Sequence, residues 1–91
     1  MIRSWRHKGL KELFTTGDSR RVRKDQHERI IRRLDALNVA DDITELDLPG
    51  FGMHKLRGKP PRIAIAVNGP WRITFGWKDG DAHEVDLEQY H

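Results

Sequence analysis

The stretch Met53–Phe75, MHKLRGKPPRIAIAVNGPWRITF, decides the fold. Two apolar alternations flank the turn signal Asn68-Gly69-Pro70: Ile63, Ile65 and Val67 before it, Trp71, Ile73 and Phe75 after it. A period of two is that of half-buried strands, and a short turn makes the two strands antiparallel neighbours. Their other parity carries Arg62, Ala64 and Ala66, then Arg72, Thr74 and Gly76. That face reads as small and basic, with room on it. The stretch holds five Lys/Arg, one His and no acid. A sheet with one apolar and one cationic face can lay an anion across itself.

Upstream, Ile2–Arg6 alternates and reads as a short first strand. Leu10, Leu13 and Phe14 fall at helical spacing, giving a short helix that stops before Gly17. A main helix is expected from about Val22 to Leu37, with Ile30, Ile31, Leu34 and Leu37 inward and Arg29, Arg32, Arg33 and Asp35 outward. Asp41-Asp42 can cap a further short turn containing Ile43 and Leu46, which Pro49-Gly50 ends. Strands then follow at Phe51–Leu56, 62–67, 71–77 and 82–87, with Gly58–Pro61 as an exposed basic loop and Asp79-Gly80 as a hairpin turn. Helices gathered early and an antiparallel sheet late predict an α+β fold of two layers, with the helices on one face of the sheet.

The chain has 91 residues, so one domain with a single core is expected over 1–91. It has no cysteine, which excludes disulfide staples and thiolate metal sites and suits a cytoplasmic protein. No apolar run approaches the length of a membrane span. The N-terminus lacks the apolar core of a signal peptide, and the chain is expected to run from its native Met to its native C-terminus. The net charge of +3 hides segregation. Residues 1–33 carry eleven Lys/Arg against four acids, residues 34–50 five acids and no base, residues 51–72 five bases and no acid, and residues 73–91 one base and five acids. Such blocks make a basic surface that attracts phosphates, or simply a solvated arginine-rich helix face.

There is no phosphate-cradling Gly loop, no dinucleotide motif and no His pair at metal spacing, so neither a metal nor a cofactor is implied. His7 and His27 read as surface residues. His83 shares its parity with Val85 and Leu87 and reads as a partly buried, hydrogen-bonded histidine. His54 opens the basic stretch with the opposite parity to Met53, and position alone leaves it either an edge-strand surface residue or a functional one. Tyr90 and His91 are either a frayed end or an anchored one, since Val85 and Leu87 can hold the strand that leads into them. Arg72 has Thr74 and Gly76 beside it, which leave room for a ligand, and a guanidinium suits phosphate. Trp71, Phe75 and Trp77 read as core residues before they read as stacking platforms.

Taken together, IRSWRHKGLKELFTTG, RIIRRLDALNVADDITELDLPG, MHKLRG, VNGPWRITF and the terminal YH resemble the HigB-like branch of the RelE/ParE toxins of type II toxin–antitoxin systems. The order and spacing of the blocks carry the resemblance. It implies a RelE-like, microbial-ribonuclease-like fold and ribosome-dependent cleavage of mRNA that inhibits translation. It also implies neutralisation by a helix-turn-helix, HigA-like antitoxin, with operator DNA reached only through the antitoxin complex. The family's catalytic residues fall on His54, Arg72, Tyr90 and His91. Lys55, Arg57 and Lys59 match a Lys-rich segment in character, and with Arg62 they would bind RNA or ribosome. Gln89 stands where the family often has Asp. Either the Asp is dispensable here, or Glu88 substitutes, or activity is altered.

The chemistry expected is metal-independent attack by the RNA's own 2′-OH. His54 would be the base, His91 the acid, and Arg72 with Arg62 would stabilise the phosphorane. Two other readings stand beside it. One is a non-catalytic, ParE-like toxin acting on DNA gyrase, against which the His54 and Tyr90-His91 set argues. The other is a plain RNA-binding module with incidental histidines.

Overall fold

The structure is a computed structural model in which residues 1–90 are described. His91, one of the residues expected to carry chemistry, lies outside them. Two helices, α1 (Lys8–Thr16) and α2 (His27–Val39), precede a sheet of four strands: β1 (His54–Leu56), β2 (Arg62–Asn68), β3 (Trp71–Lys78) and β4 (Asp81–Gln89). The strands pair in chain order as an antiparallel meander, and the helices cover one face. This is the two-layer α+β arrangement that the apolar periodicities predict.

α1 starts where the His7 ring accepts a hydrogen bond from the Leu10 N–H, 3.2 Å away. It ends at Gly17, which takes the left-handed conformation that closes a helix C-terminus most readily when no Cβ is present. α2 begins five residues later than Val22. A 3-10 turn, Lys24–Gln26, comes first, and His27 Nε2 lies 2.8 Å from the Val22 carbonyl oxygen. Val22 is therefore buried from the loop rather than from the helix. His7 and His27, read as surface residues, are half-buried and organise the two helix starts instead. Asp42 caps the turn Ile43–Leu46 in a reciprocal capping box with Glu45, and the Thr44 N–H it accepts holds its carboxyl below the usual range.

The helices bury Leu10, Leu13, Ile30, Leu34 and Leu37 against Ile65, Ile73, Phe75 and Val85 of the sheet. Each such side chain contributes about 1.5–3 kcal/mol relative to exposure. Arg33 does not point outward. Its Nε donates to the Ala66 carbonyl at 2.6 Å and its guanidinium lies 4.8 Å over the Phe51 ring, tying α2 to the end of β2.

Ile2–Arg6 forms no regular strand. It makes two isolated parallel bridges to β4, Ile2 with Ala82 and Trp5 with Val85, and so covers the outer edge of β4. Phe51–Met53 is likewise outside the ladder, and β1 is only three residues long. Asp79 and Gly80 both have positive φ, as a two-residue Asp-Gly hairpin requires. β4 runs to Gln89, beyond the expected 82–87. It also contains a bulge: β3 pairs Thr74 with Asp86 but Gly76 with His83, so Glu84 and Val85 of β4 together stand opposite Phe75 alone.

Candidate active site

The register lays out the face turned away from the helices. One row runs His54, Ala64, Thr74, Asp86 across the four strands. The next runs Ala66, Arg72, Glu88. On the other side Arg62 and Gly76 lie near His83. The basic stretch thus supplies β1, β2 and most of β3 to a face whose fourth strand, β4, brings carboxylates. The face is cationic on β2 and β3 and mixed towards β4, which the composition of 53–75 alone could not show.

The centre of this face is not open. Ala64 and Thr74 are fully buried. The Thr74 hydroxyl donates a short hydrogen bond to the Glu88 carboxylate and accepts one from Arg62 Nη2 at 3.3 Å. Arg62 Nη2 also donates to the Glu84 carbonyl at 2.7 Å. Burial, then the charge of Arg6, lowers the Arg62 pKa, while Glu88, Asp86 and Glu84 oppose the shift. Arg62 is therefore half-buried, with its guanidinium engaged by Thr74 and the Glu84 carbonyl where it lines the cavity. Thr74→Val is expected to lower stability by roughly 1–3 kcal/mol, because it strips partners from a guanidinium and a carboxylate together; urea denaturation measures it.

Tyr90 is docked. Its backbone N–H donates to the Pro70 carbonyl at 2.7 Å, and its ring lies 5.8 Å from the Arg72 guanidinium carbon. Burial first, and the Glu88 charge second, push the phenol pKa up against the opposing pull of Arg72 and Arg62. The phenol therefore keeps its proton through neutral pH and can donate it in a hydrogen bond. Arg72 is anchored by Nη1 on the Gly69 and Trp71 carbonyls, at 2.6 and 2.9 Å, and makes no ion pair among the described residues. Gln89 pairs with Trp71 and is exposed, whereas Glu88 stands opposite Arg72 with its carboxylate on Thr74. Of the two, Glu88 is the one within the site.

His54 is exposed on β1, with Nδ1 3.2 Å from the Gly52 carbonyl oxygen. It shares the face with Arg72 and Tyr90. A cavity of about 660 Å³ opens farther along, and Tyr90 borders it while His54 and Arg72 do not. Lys55, Arg57 and Lys59 are exposed, and the last two rim the cavity. Thr74 and His83 escaped the sequence reading as site residues. His83 was misplaced because the bulge reverses parity inside β4, so it does not sit with Val85 and Leu87. Nothing in DAHEVDL announces the bulge, whose positive-φ residue is Glu84 rather than a glycine.

A sheet of this topology, two helices on one face and Arg72, Glu88 and Tyr90 gathered on the other, is the frame of a RelE-like toxin. A family model described as the RelE-like toxin HigB of type II toxin–antitoxin systems matches residues 3–91, and the chain belongs to that family. Over 92 aligned positions it is 40% identical to the Endoribonuclease HigB of Proteus vulgaris, with 100% of both chains covered. Membership implies an antitoxin partner. Among the described residues no helix is long and apolar enough to cross a membrane.

Proposed function

We propose that this toxin is an endoribonuclease that cuts mRNA on the ribosome and so stops translation. The full-length likeness to a protein named an endoribonuclease supports the activity. The observation that carries the site is Tyr90, held by Pro70 with its ring near Arg72, because it sets a phenol on the cationic face beside a guanidinium. His54 removes the 2′-OH proton, O2′ bonds to phosphorus, and the bond to O5′ breaks as His91 protonates it. The products are a 2′,3′-cyclic phosphate and a 5′-OH. Arg72 neutralises charge on the phosphorane, and Tyr90 donates a hydrogen bond to it. Lys55, Arg57 and Lys59 hold mRNA or adjoining ribosomal RNA by its phosphates.

The chain acts in the cytoplasm, where ribosomes are. Its antitoxin is a HigA-like helix-turn-helix protein, and operator DNA is bound only through that complex. Primer extension on a translated reporter mRNA after induction is the test. Cuts within codons that vanish when translation is blocked are expected for the wild type and not for His91→Ala. Growth arrest without such cuts, together with loss of plasmid supercoiling, would instead identify a gyrase poison.

A further inference from the structure

Among the described residues Glu84 is the one non-glycine with positive φ that sits inside a strand; the other, Asp79, lies in a hairpin turn. A strained residue persists only where its surroundings fix it. Here the Glu84 N–H donates to Ser4 Oγ at 2.8 Å, its carbonyl accepts from Arg62 at 2.7 Å, and its carboxylate lies 3.4 Å from Ser4 Oγ and 4.0 Å from Arg6 Nε. Two separate segments of the chain hold the bulge in place.

What the bulge achieves is the placement of His83. Regular alternation would put His83 on the face of Val85, in the core. The extra residue instead sets it opposite Gly76, which has no side chain to fill the space beside the ring. Bulges next to functional sites commonly re-aim a side chain in this way. His83 then borders the 660 Å³ cavity together with Trp77; Arg57, Lys59 and Lys78 stand around it, and Glu84 and Glu88 are the two carboxylates in its lining. Among the described residues the His83 side chain has no hydrogen-bond partner. An unengaged aromatic ring in a cavity whose lining cations outnumber its carboxylates suits a base with its attached phosphates. The volume lies in the range of small-molecule sites.

We propose that this cavity is a second nucleotide subsite, in which His83 stacks on a base of the message beside the cleaved nucleotide while Arg57, Lys59 and Lys78 take its phosphates. The inference rests on the RNA-cleaving reading above and adds a place where sequence context is sensed.

The test uses the full chain carrying His91→Ala, so that the probe survives, and a fluorescein-labelled single-stranded hexaribonucleotide read by anisotropy. Adding His83→Ala is expected to weaken binding roughly 5- to 100-fold, the range for loss of one base stack. Adding His83→Phe should restore affinity, which separates stacking from a merely structural role. Thermal unfolding of each variant checks that the fold is intact. Equal affinity with and without His83, or no binding by the parent, overturns the subsite. The function reading fails separately, by absence of reporter cleavage in the wild type.

Discussion

Replacement of His54 by alanine is expected to slow mRNA cleavage by about 10²–10⁴-fold, the usual contribution of a positioned proton carrier. The substitution should leave the fold untouched. His54 is exposed, it stands on a three-residue edge strand, and its ring meets only the Gly52 carbonyl among the described residues. Surface changes of this kind shift stability by no more than about 0.5 kcal/mol. The measurement is single-turnover cleavage of a reporter on purified ribosomes, with an unfolding curve beside it. Chemical rescue adds a second check. Rescue by added imidazole should restore part of the rate to His54→Ala if the lost group is the proton acceptor. Cleavage at the wild-type rate by a stably folded His54→Ala would remove the base assignment.

The second large effect is on stability. Phe75→Ala should destabilise the protein by about 3–5 kcal/mol. Phe75 is fully buried at the middle of β3, under the helices, with its ring edge-on to Trp77 at 6.4 Å. Its strand is paired on both sides, so the site cannot collapse to fill the hole. Small domains are stable by only about 5–15 kcal/mol, and a loss of this size leaves a large unfolded fraction in a marginal case. Urea denaturation should show the midpoint falling with little change in slope. Expression of Phe75→Ala should then arrest growth weakly even though no site residue is altered.

Much of this architecture was legible because period-two and helical spacings are local. Ile63 to Phe75 gave two strands, their turn and their inward face; Ile30, Leu34 and Leu37 gave the inward stripe of α2. What escaped was set by non-local partners. Val22 has no apolar residue three or four positions on, and the 3-10 turn Lys24–Gln26 with the His27–Val22 contact explains why the helix starts late. The strand expected at Ile2–Arg6 has the right alternation, yet its partner is β4, some eighty positions away, and the pairing reduces to two bridges. The candidate site divides the same way. Arg72 and Tyr90 stand together on one face, joined by Glu88. Arg62 was expected at the phosphate, yet it is drawn inward by Thr74 and the Glu84 carbonyl. His83 lay on the wrong side of an alternation that a bulge resets, and no pattern of residue types marks that bulge.

The seam between the N-terminal segment and β4 sets the order in which this protein can be assembled. Arg3, Arg6 and His7 donate backbone hydrogen bonds to carbonyls of β4, and Ser4 steadies its bulge. None of these partners exists until β4 has been synthesised, since it follows every element it pairs with. Loop closure over so long a span makes this pairing a late step in folding. A nascent chain interrupted anywhere upstream would lack both the strand that seals the sheet and the side chains that follow it. The outer edge of β4 is thus the last part of this fold that can close, and the N-terminal segment waits unpaired until it does.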